Sequence, residues 1–278
     1  KEWEYLVRNA TFVRTVRVGR SPSFSLRYFK RWHVDQEFLM DEQHSDAYNL
    51  DNLPRSSSGS RRWAVDVGAN LGIVTLQLLK SNPSLKVVAI EPSPSVFHYL
   101  LWNLRANNVA DRCIAINAGI SNKKETATLF EPLMNPIQAS LLHRSVTNVK
   151  HWAPRIEVPV MTLEQALGAA SLSFSDVGLV KVDCEGCEWS ILDAAAFWRD
   201  IDRFKIPLVS EVHHFTGVAE NPRWREMTQK FCSEGISGKP GEDHLTCARN
   251  HQLESAGSRQ LMHQLRPVLR SNRSSGTA

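Results

Sequence analysis

The sequence predicts an α/β fold of the Rossmann-like class, with a mostly parallel, seven-stranded sheet and helices on both faces. Two observations support this prediction: short apolar runs alternate with amphipathic helical segments, and 42% of the 278 residues are hydrophobic, enough for one full core. In sheets of this kind ligands bind outside the carboxyl ends of the strands. Motifs at strand ends are therefore the most informative about function.

Seven segments have the length and apolar character of buried strands. These are residues 63–67, 85–90, 113–117, 125–130, 156–160, 179–183 and 207–213. Helical spacing of apolar residues, with a capping box between Thr162 and Gln165, predicts helices over 72–80, 95–107, 162–169 and 188–198.

An N-terminal extension precedes this alternation. Residues 11–29 predict a β-hairpin, because Val16 and Val18 flank a charged residue and Gly19-Arg-Ser-Pro22 has turn chemistry. We expect residues 1–60 to form an extension with this hairpin, a helical and acidic segment and a serine-rich loop. We assign residues 61–255 to the main domain and 256–278 to a partly disordered tail.

Net charge and hydropathy exclude some classes of function. A net charge of +4 gives no strong nucleic-acid signal, and no apolar run reaches the roughly 18 to 20 residues of a membrane span. We therefore expect a soluble domain that acts on a small molecule; the sequence does not predict an oligomeric state. Because the chain opens on Lys1, a targeting segment could have been removed upstream.

The five cysteines predict reduced thiols, since their number is odd and a chain of this size does not need disulfide bonds. This favours a cytoplasmic location by default. Cys184 and Cys187 have the spacing of a redox or zinc pair, but a zinc site requires a second pair. We therefore predict no metal ligands.

A glycine-rich loop follows the first strand of the main domain, in the motif Val65-Asp-Val-Gly-Ala-Asn-Leu-Gly72. Glycine lets the backbone turn tightly and approach a ligand closely. The middle glycine of a nicotinamide fingerprint is absent, which argues against a dehydrogenase. An acid in this motif could order the loop or face a cationic amino group through water. The predicted cofactor contacts are Asp66, Gly68, Ala69, Asn70 and Gly72.

A second acid, Glu91, follows the second strand and lies 25 residues after Asp66. A carboxylate at this strand end can accept both ribose hydroxyls of a nucleoside, because it has two oxygens that only accept hydrogen bonds. Pro92 then stiffens the turn. We predict that Glu91 and Pro92 complete a nucleoside-binding site.

Two later strands end in groups suited to proton transfer. Asp183 and Glu185 alternate, so we expect both carboxylates to enter one cleft. Glu211 and His213 alternate in the same way on the next strand. His213 is a candidate general base because its ordinary pKa is near neutrality. The predicted catalytic residues are His213, Asp183 and Glu185, and Asp183 could equally contact the cofactor.

Four motifs together resemble the FkbM-type methyltransferase family. They are Val65-Asp-Val-Gly-Ala-Asn-Leu-Gly72, Ala89-Ile-Glu-Pro92, Lys181-Val-Asp-Cys-Glu-Gly-Cys-Glu188 and Glu211-Val-His213. The resemblance covers about residues 25 to 250. It implies a class I methyltransferase fold, S-adenosylmethionine as methyl donor, and a hydroxyl acceptor on a sugar or secondary metabolite. It also implies that Ala139-Ser-Leu141 forms a loop near the acceptor mouth. Cys187 departs from the family, which usually has a small residue there.

Three other functions stay open. In a metal-assisted O-methyltransferase, Asp183, Glu185 and His213 would surround a hard cation. A nucleic-acid methyltransferase would use the basic N-terminal segment, although the chain has no Asn-Pro-Pro-Tyr-type motif. A catalytically silent domain would bind the nucleoside without turning it over.

Overall fold

A computed structural model describes residues 11–29, 46, 48, 50–52, 61–131, 139–141, 155–213, 236–237 and 242–247. The predicted helical part of the extension, the serine-rich loop and the 256–278 tail lie outside these residues, apart from a 3-10 turn at Leu50–Asn52. The strands are β1 Thr11–Val16, β2 Phe24–Phe29, β3 Trp63–Val67, β4 Lys86–Ile90, β5 Cys113–Ile116, β6 Gly119–Ile120, β7 Glu125–Phe130, β8 Arg155–Met161, β9 Val177–Val182, β10 Leu208–His213, β11 Ile236–Ser237 and β12 Glu242–Cys247. The helices are α1 Ile73–Ser81, α2 Pro94–Ala106, α3 Leu163–Ala169, α4 Glu188–Leu192 and α5 Ala195–Phe204.

The central sheet has five parallel strands in the order β10-β9-β3-β4-β5. Two further strands extend its β10 edge, where β12 pairs antiparallel with β10 and β11 pairs antiparallel with β12. The order reverses between β3 and β9, which is where a sheet of this type opens a crevice at its carboxyl edge.

Both faces of the sheet are covered, as predicted. Successive strand residues point to opposite sides: Ala64 and Val87 pack with α1, α2 and the hairpin, whereas Val65 and Val88 pack with α3, α4 and α5. A strand buried on both faces consists almost entirely of apolar residues, which is why these strands are visible in the sequence.

Two of the seven predicted strands do not belong to this sheet. β7 and β8 pair antiparallel in a separate three-stranded sheet with β6. The exposure of β8 alternates along the chain and β7 is largely exposed or half-buried, unlike the continuous burial of β3 and β4. This alternation is typical of an antiparallel sheet with one solvated face, and the prediction of one sheet for all seven segments was therefore wrong.

The predicted helix over 188–198 is also divided. α4 ends at Leu192 and α5 begins at Ala195, because Ala194 takes an extended conformation between them. The indole of Trp198 donates a hydrogen bond to the carbonyl of Leu192, which the break leaves available. The capping box of α3 is present as predicted, with Thr162 and Gln165 exchanging hydrogen bonds.

The predicted hairpin is present, with β1 and β2 paired antiparallel over their full length. Among the described residues, no helix combines the length and the apolar character that crossing a bilayer requires.

Candidate functional site

The candidate site is a cavity at the carboxyl edge of the parallel strands. The empty space between its walls, together with the part that is open to solvent, is about 270 Å³. Its walls come from the ends of β3, β4 and β9, from the segment after β5 and from the small sheet. The lining residues are Val67, Gly68, Ile90, Pro92, Ala118, Gly119, Ile120, Leu129, Ala139, Leu141, Cys184 and Cys187. Ala139 and Leu141 therefore place the predicted acceptor-side loop at this cavity.

Gly68 is required by its contacts as well as by its conformation. Its φ of +73° is in the left-handed region, and a Cβ there would overlap the carbonyl oxygen of Asp183. The amides of Gly68 and Ala69 both donate to the carbonyl of Ile90, at 3.0 and 2.9 Å. The loop after β3 is thus held against the ends of both neighbouring strands.

Asn70 takes the left-handed conformation that glycine would favour, with φ at 52°. Its side-chain oxygen accepts a hydrogen bond from the amide of Leu71 at 2.8 Å, and such local bonding is how asparagine tolerates this region. Gly72 follows with φ at 90° and precedes α1. The loop thus makes its turn without the middle glycine of a dinucleotide fingerprint.

Glu91 is buried and accepts two backbone hydrogen bonds. Its carboxylate receives the amide of Asn70 at 2.9 Å and the amide of Ser93 at 2.9 Å. Burial raises the pKa of Glu91 to about 7, although the two amides and Lys181 oppose the shift. The carboxylate joins the glycine-rich loop to the turn after β4, one residue before Pro92 in the cavity wall.

Asp66 does not line the cavity. It is fully buried in β3, accepts a hydrogen bond from the hydroxyl of Thr75 at 2.6 Å, and pairs with Lys181 at 3.1 Å. The Lys181 ammonium also donates to the carbonyls of Gly68 at 2.8 Å and Val67 at 3.3 Å. Of the two roles predicted for Asp66, this geometry supports ordering of the loop.

The acidic loop after β9 is a tight turn. Glu185 and Gly186 both have positive φ, so Asp183 and Glu185 do not alternate along an extended segment as predicted. Glu188 holds the turn by accepting the amides of Cys184 and Gly186, both at 2.7 Å.

A disulfide links Cys184 and Cys187 across this turn, with their Cα atoms 5.4 Å apart. The expectation of reduced thiols was wrong for this pair. The spacing of three residues brings both sulfurs to one side of a turn that also carries the positive φ angles of Glu185 and Gly186. The prediction of a cytoplasmic location was based on reduced thiols, so this disulfide removes part of its basis. Cys113 is a free thiol.

His213 lies among carboxylates at the end of β10. Its Nδ1 is 3.3 Å from Glu188, and its Nε2 is 3.6 Å from both Glu185 and Glu211. Burial alone would lower the pKa of His213, but the hydrogen bond to Glu188 and the nearby negative charges outweigh it and raise this pKa to about 10. Glu211 and His213 therefore share one side of β10, as predicted.

The two predicted catalytic carboxyl groups differ in charge. Burial raises the pKa of Glu185 to about 8, and neighbouring acids add to the effect. Burial also acts on Asp183, but Lys181, His213 and the Tyr48 hydroxyl outweigh it, and the pKa of Asp183 is lowered. Asp183 is therefore the ionised member of the pair.

Three residues near the site were not predicted as functional. Lys181 has a signal in the sequence, because it is a single charge within the apolar run of β9. Glu188 has a weaker one, as an acid in the first turn of α4. Tyr48 has no such signal in the sequence, since it lies in a short, mostly polar stretch of the extension.

Two curated relatives support an interpretation as a methyltransferase. The chain is 26% identical over 190 residues to "Methyltransferase sdnD" of Sordaria araneosa, covering 60% of this chain and 71% of that protein. It is 25% identical over 219 residues to "Methyltransferase 1" of Beauveria bassiana, covering 69% of this chain and 85% of that protein.

Solved structures give a distant likeness. "Methyltransferase FkbM" from Methylobacillus flagellatus KT matches at 17% identity with a TM-score of 0.46; the match covers 72% of this chain but only 46% of that one. TYW2 of P. horikoshii in complex with MeSAdo matches at 12% identity with a TM-score of 0.40, covering 86% and 70% of the two chains. The family described as "Methyltransferase FkbM domain" matches residues 66–236, which include the glycine-rich loop, Glu91, the acidic loop and His213. The chain belongs to this FkbM methyltransferase domain family.

Proposed function

We propose that this protein is an S-adenosylmethionine-dependent methyltransferase that methylates a hydroxyl oxygen on a sugar or secondary-metabolite-like small molecule. The observation that carries the proposal is the position of Glu91, whose carboxylate is fixed by the glycine-rich loop beside the cavity. We also propose that β11 and β12 complete the seven-stranded sheet of this enzyme class.

The residues around the cavity suit a nucleoside donor. Glu91 uses one lone pair on each oxygen for backbone amides, and each oxygen keeps a second one for a ribose hydroxyl. Gly68 lets the glycine-rich loop pack directly against the carbonyl of Asp183 at the cavity wall, where a side chain would not fit. Gly68, Ala69, Asn70, Gly72, Glu91 and Pro92 would hold the donor, while Asp66 would act through the loop it orders.

The bound donor would supply an electrophilic methyl group on a sulfonium. The protein would align the acceptor oxygen with that carbon, and positioning of this kind is worth roughly 7 to 11 kcal/mol in well-oriented systems. Because His213 is protonated at neutral pH, it does not suit the role of general base. Glu185 is also mostly protonated at pH 7, but its pKa of about 8 lies nearer to neutrality, so its ionised fraction suits the removal of the hydroxyl proton better. Asp183 would contact the donor or orient the acceptor.

Calorimetry with S-adenosylmethionine tests the donor site. Near pH 7 about half of the Glu91 carboxyl groups carry a proton, whereas ribose hydroxyls donate to the ionised form. Binding is therefore expected to release roughly half a proton at pH 7, measured as a difference in binding enthalpy between phosphate and Tris buffers. Glu91→Gln should weaken binding and abolish proton release, whereas Glu125→Gln, on a surface strand, should change neither.

Unchanged affinity in Glu91→Gln would refute the donor site. Turnover is tested separately, by formation of S-adenosylhomocysteine with a panel of methyl glycosides and phenols. Product formation supports the hydroxyl acceptor. Binding of the donor with no turnover on any panel member would favour the silent domain.

The metal-assisted alternative has one observation in its favour. Ligand atoms of Asp183, Glu188 and His213 lie within 4.8 Å of one another. Both oxygens of Glu188 already accept backbone amides, however, so a cation would compete with the bonds that hold the turn. Turnover that survives exhaustive chelation would exclude this alternative, and turnover restored only by Mg²⁺ would establish it.

A further inference from the structure

The N-terminal extension is fixed to the main domain by two buried asparagines, Asn103 in α2 and Asn107 at the C-cap of this helix. Asn103 accepts the amide of Arg27 at 2.7 Å and donates to its carbonyl at 3.1 Å, as a neighbouring strand would. Asn107 makes the same pair of bonds with Ser25. Asn103 also donates to the carbonyl of Leu71 at 2.9 Å, so it connects the hairpin to the glycine-rich loop.

A second attachment lies at the described residues between 46 and 52. Asp46 accepts the side-chain amide of Gln77 in α1 at 3.0 Å and the backbone amide of Asp51 at 2.6 Å. Asp51 in turn accepts the amide of Arg20 after β1 at 2.6 Å. These bonds join the hairpin turn, this segment and α1 on both sides of Tyr48.

Tyr48 extends from this segment into an acidic cluster, which consists of the carboxyl groups around His213 and Tyr48: Asp183, Glu185, Glu188 and Glu211. Its hydroxyl donates to the Asp183 carboxylate at 2.6 Å and lies 3.3 Å from the Glu211 carboxylate. Its ring is buried, with the Lys181 ammonium 5.8 Å from the ring centre. One side chain of the extension thus joins the carboxylates that end β9 and β10.

We propose that Tyr48 is a positioning residue of the proposed active site, holding the Asp183 carboxylate in place through its hydroxyl, and that the extension is therefore part of the catalytic unit. The proposal rests on the proposed function. Residue 48 lies outside the family match, which begins at residue 66, so the match does not assign it a role.

The charges around Asp183 explain why a neutral donor is useful there. Lys181 on β9 approaches Asp183 at 3.6 Å, but it also serves Asp66 and two carbonyls. Glu185, Glu188, Glu211 and His213 face the same space from the acidic loop, α4 and β10. The Tyr48 hydroxyl donates to Asp183 without adding charge, and it separates this carboxylate from Glu211.

The test compares Tyr48→Phe with Tyr99→Phe, since each removes one buried hydroxyl and keeps the ring. The Tyr99 hydroxyl is 3.1 Å from Thr11, away from the acidic cluster. S-adenosylhomocysteine affinity is measured at pH 7, and urea unfolding is measured from pH 3 to pH 8. Tyr48→Phe should weaken binding about three- to tenfold, and Tyr99→Phe should leave it within twofold.

The pH dependence of folding stability distinguishes a positioning role of Tyr48 from a role in packing alone. A lowered Asp183 pKa stabilises the fold above the ordinary carboxyl pKa, and this contribution is lost as the pH falls through the lowered value. The folding equilibrium constant of Tyr48→Phe should therefore fall further below wild type at pH 7 than at pH 3, by up to about tenfold. The extra loss should vanish when Asp183→Asn is present in both proteins.

Three results have distinct meanings. If wild type does not bind S-adenosylhomocysteine, the proposed function fails and the inference fails with it. If wild type binds but Tyr48→Phe matches Tyr99→Phe, or loses stability equally at every pH, only the inference is overturned. If Tyr48→Phe does not fold, Glu211→Gln replaces it. This substitution removes the carboxylate that competes with Asp183 for the Tyr48 hydroxyl. Tighter binding than wild type then supports the inference, and unchanged binding overturns it.

Discussion

Replacing Lys181 with methionine should destabilise the protein far more than a loss of one surface charge would. The Lys181 side chain is 3% exposed, and its ammonium pairs with Asp66, which is 0% exposed, at 3.1 Å. Methionine keeps most of the apolar volume, but among the described residues it leaves the Asp66 carboxylate with the hydroxyl of Thr75 as its hydrogen-bond donor. The carbonyls of Gly68 and Val67 lose their ammonium donor as well.

Removing one partner of a buried ion pair costs about 3 to 5 kcal/mol, whereas an exposed pair contributes about 0 to 1 kcal/mol. Lys205→Met is the matched control, because Lys205 pairs with Asp202 at 2.8 Å while both side chains are exposed, at 57% and 36%. Urea unfolding followed by tryptophan fluorescence measures both variants. Adding Asp66→Asn to Lys181→Met should recover part of the loss by removing the unpaired charge. The reasoning is refuted if Lys181→Met costs no more than Lys205→Met, or if the second substitution recovers nothing.

Three further predictions concern the cavity wall and its acids. Gly68→Ala should abolish S-adenosylmethionine binding in calorimetry and lower the unfolding temperature, because a Cβ at φ +73° would overlap the carbonyl of Asp183; retained affinity would contradict the tight packing of this loop. The pKa of Glu91 is raised from 4.5 to about 7, so the folded state holds this proton more tightly than the unfolded state does. In urea unfolding, the stability of wild type relative to Glu91→Gln should therefore fall by about 3 kcal/mol between pH 4.5 and pH 7. Parallel stability curves for the two proteins would exclude this shift. Cys187→Ala should lower the free energy of unfolding by at most about 2 kcal/mol in the same assay, because the disulfide closes a loop of only four residues and Glu188 also holds this turn. Dithiothreitol should destabilise wild type but not the variant.

The parts of the fold that the sequence predicts are those with local causes. β3, β4 and β9 are apolar because both of their faces are buried, and the glycine-rich loop is visible because its positive φ angles call for Gly68, Asn70 and Gly72. Glu91 could be placed for the same reason, since it directly follows a recognisable strand. The separate sheet of β7 and β8 could not be placed, because strand pairing is decided by contacts between distant segments.

The contacts that complete the site are also long-range. Tyr48 and Asp183 are 135 residues apart, and Lys181 and Gly68 are 113 apart. No periodicity or spacing within the sequence encodes such pairs. The disulfide was missed for a different reason, because an odd number of cysteines favours reduced thiols when no structure shows that two of them meet across a turn.

The electrostatics of the acidic cluster bear on how the proposed reaction could proceed. A sulfonium donor loses its positive charge on transfer, so full negative charge around it would stabilise the bound donor more than the transition state. Burial works against such charge at Glu91 and Glu185, whose pKa values of about 7 and 8 leave them partly protonated near neutrality. Asp183 stays ionised, but Lys181 and Tyr48 already contact it. The cluster can therefore contact a cationic donor without presenting full negative charge to it, while the ionised fraction that Glu185 keeps near neutrality can accept the hydroxyl proton.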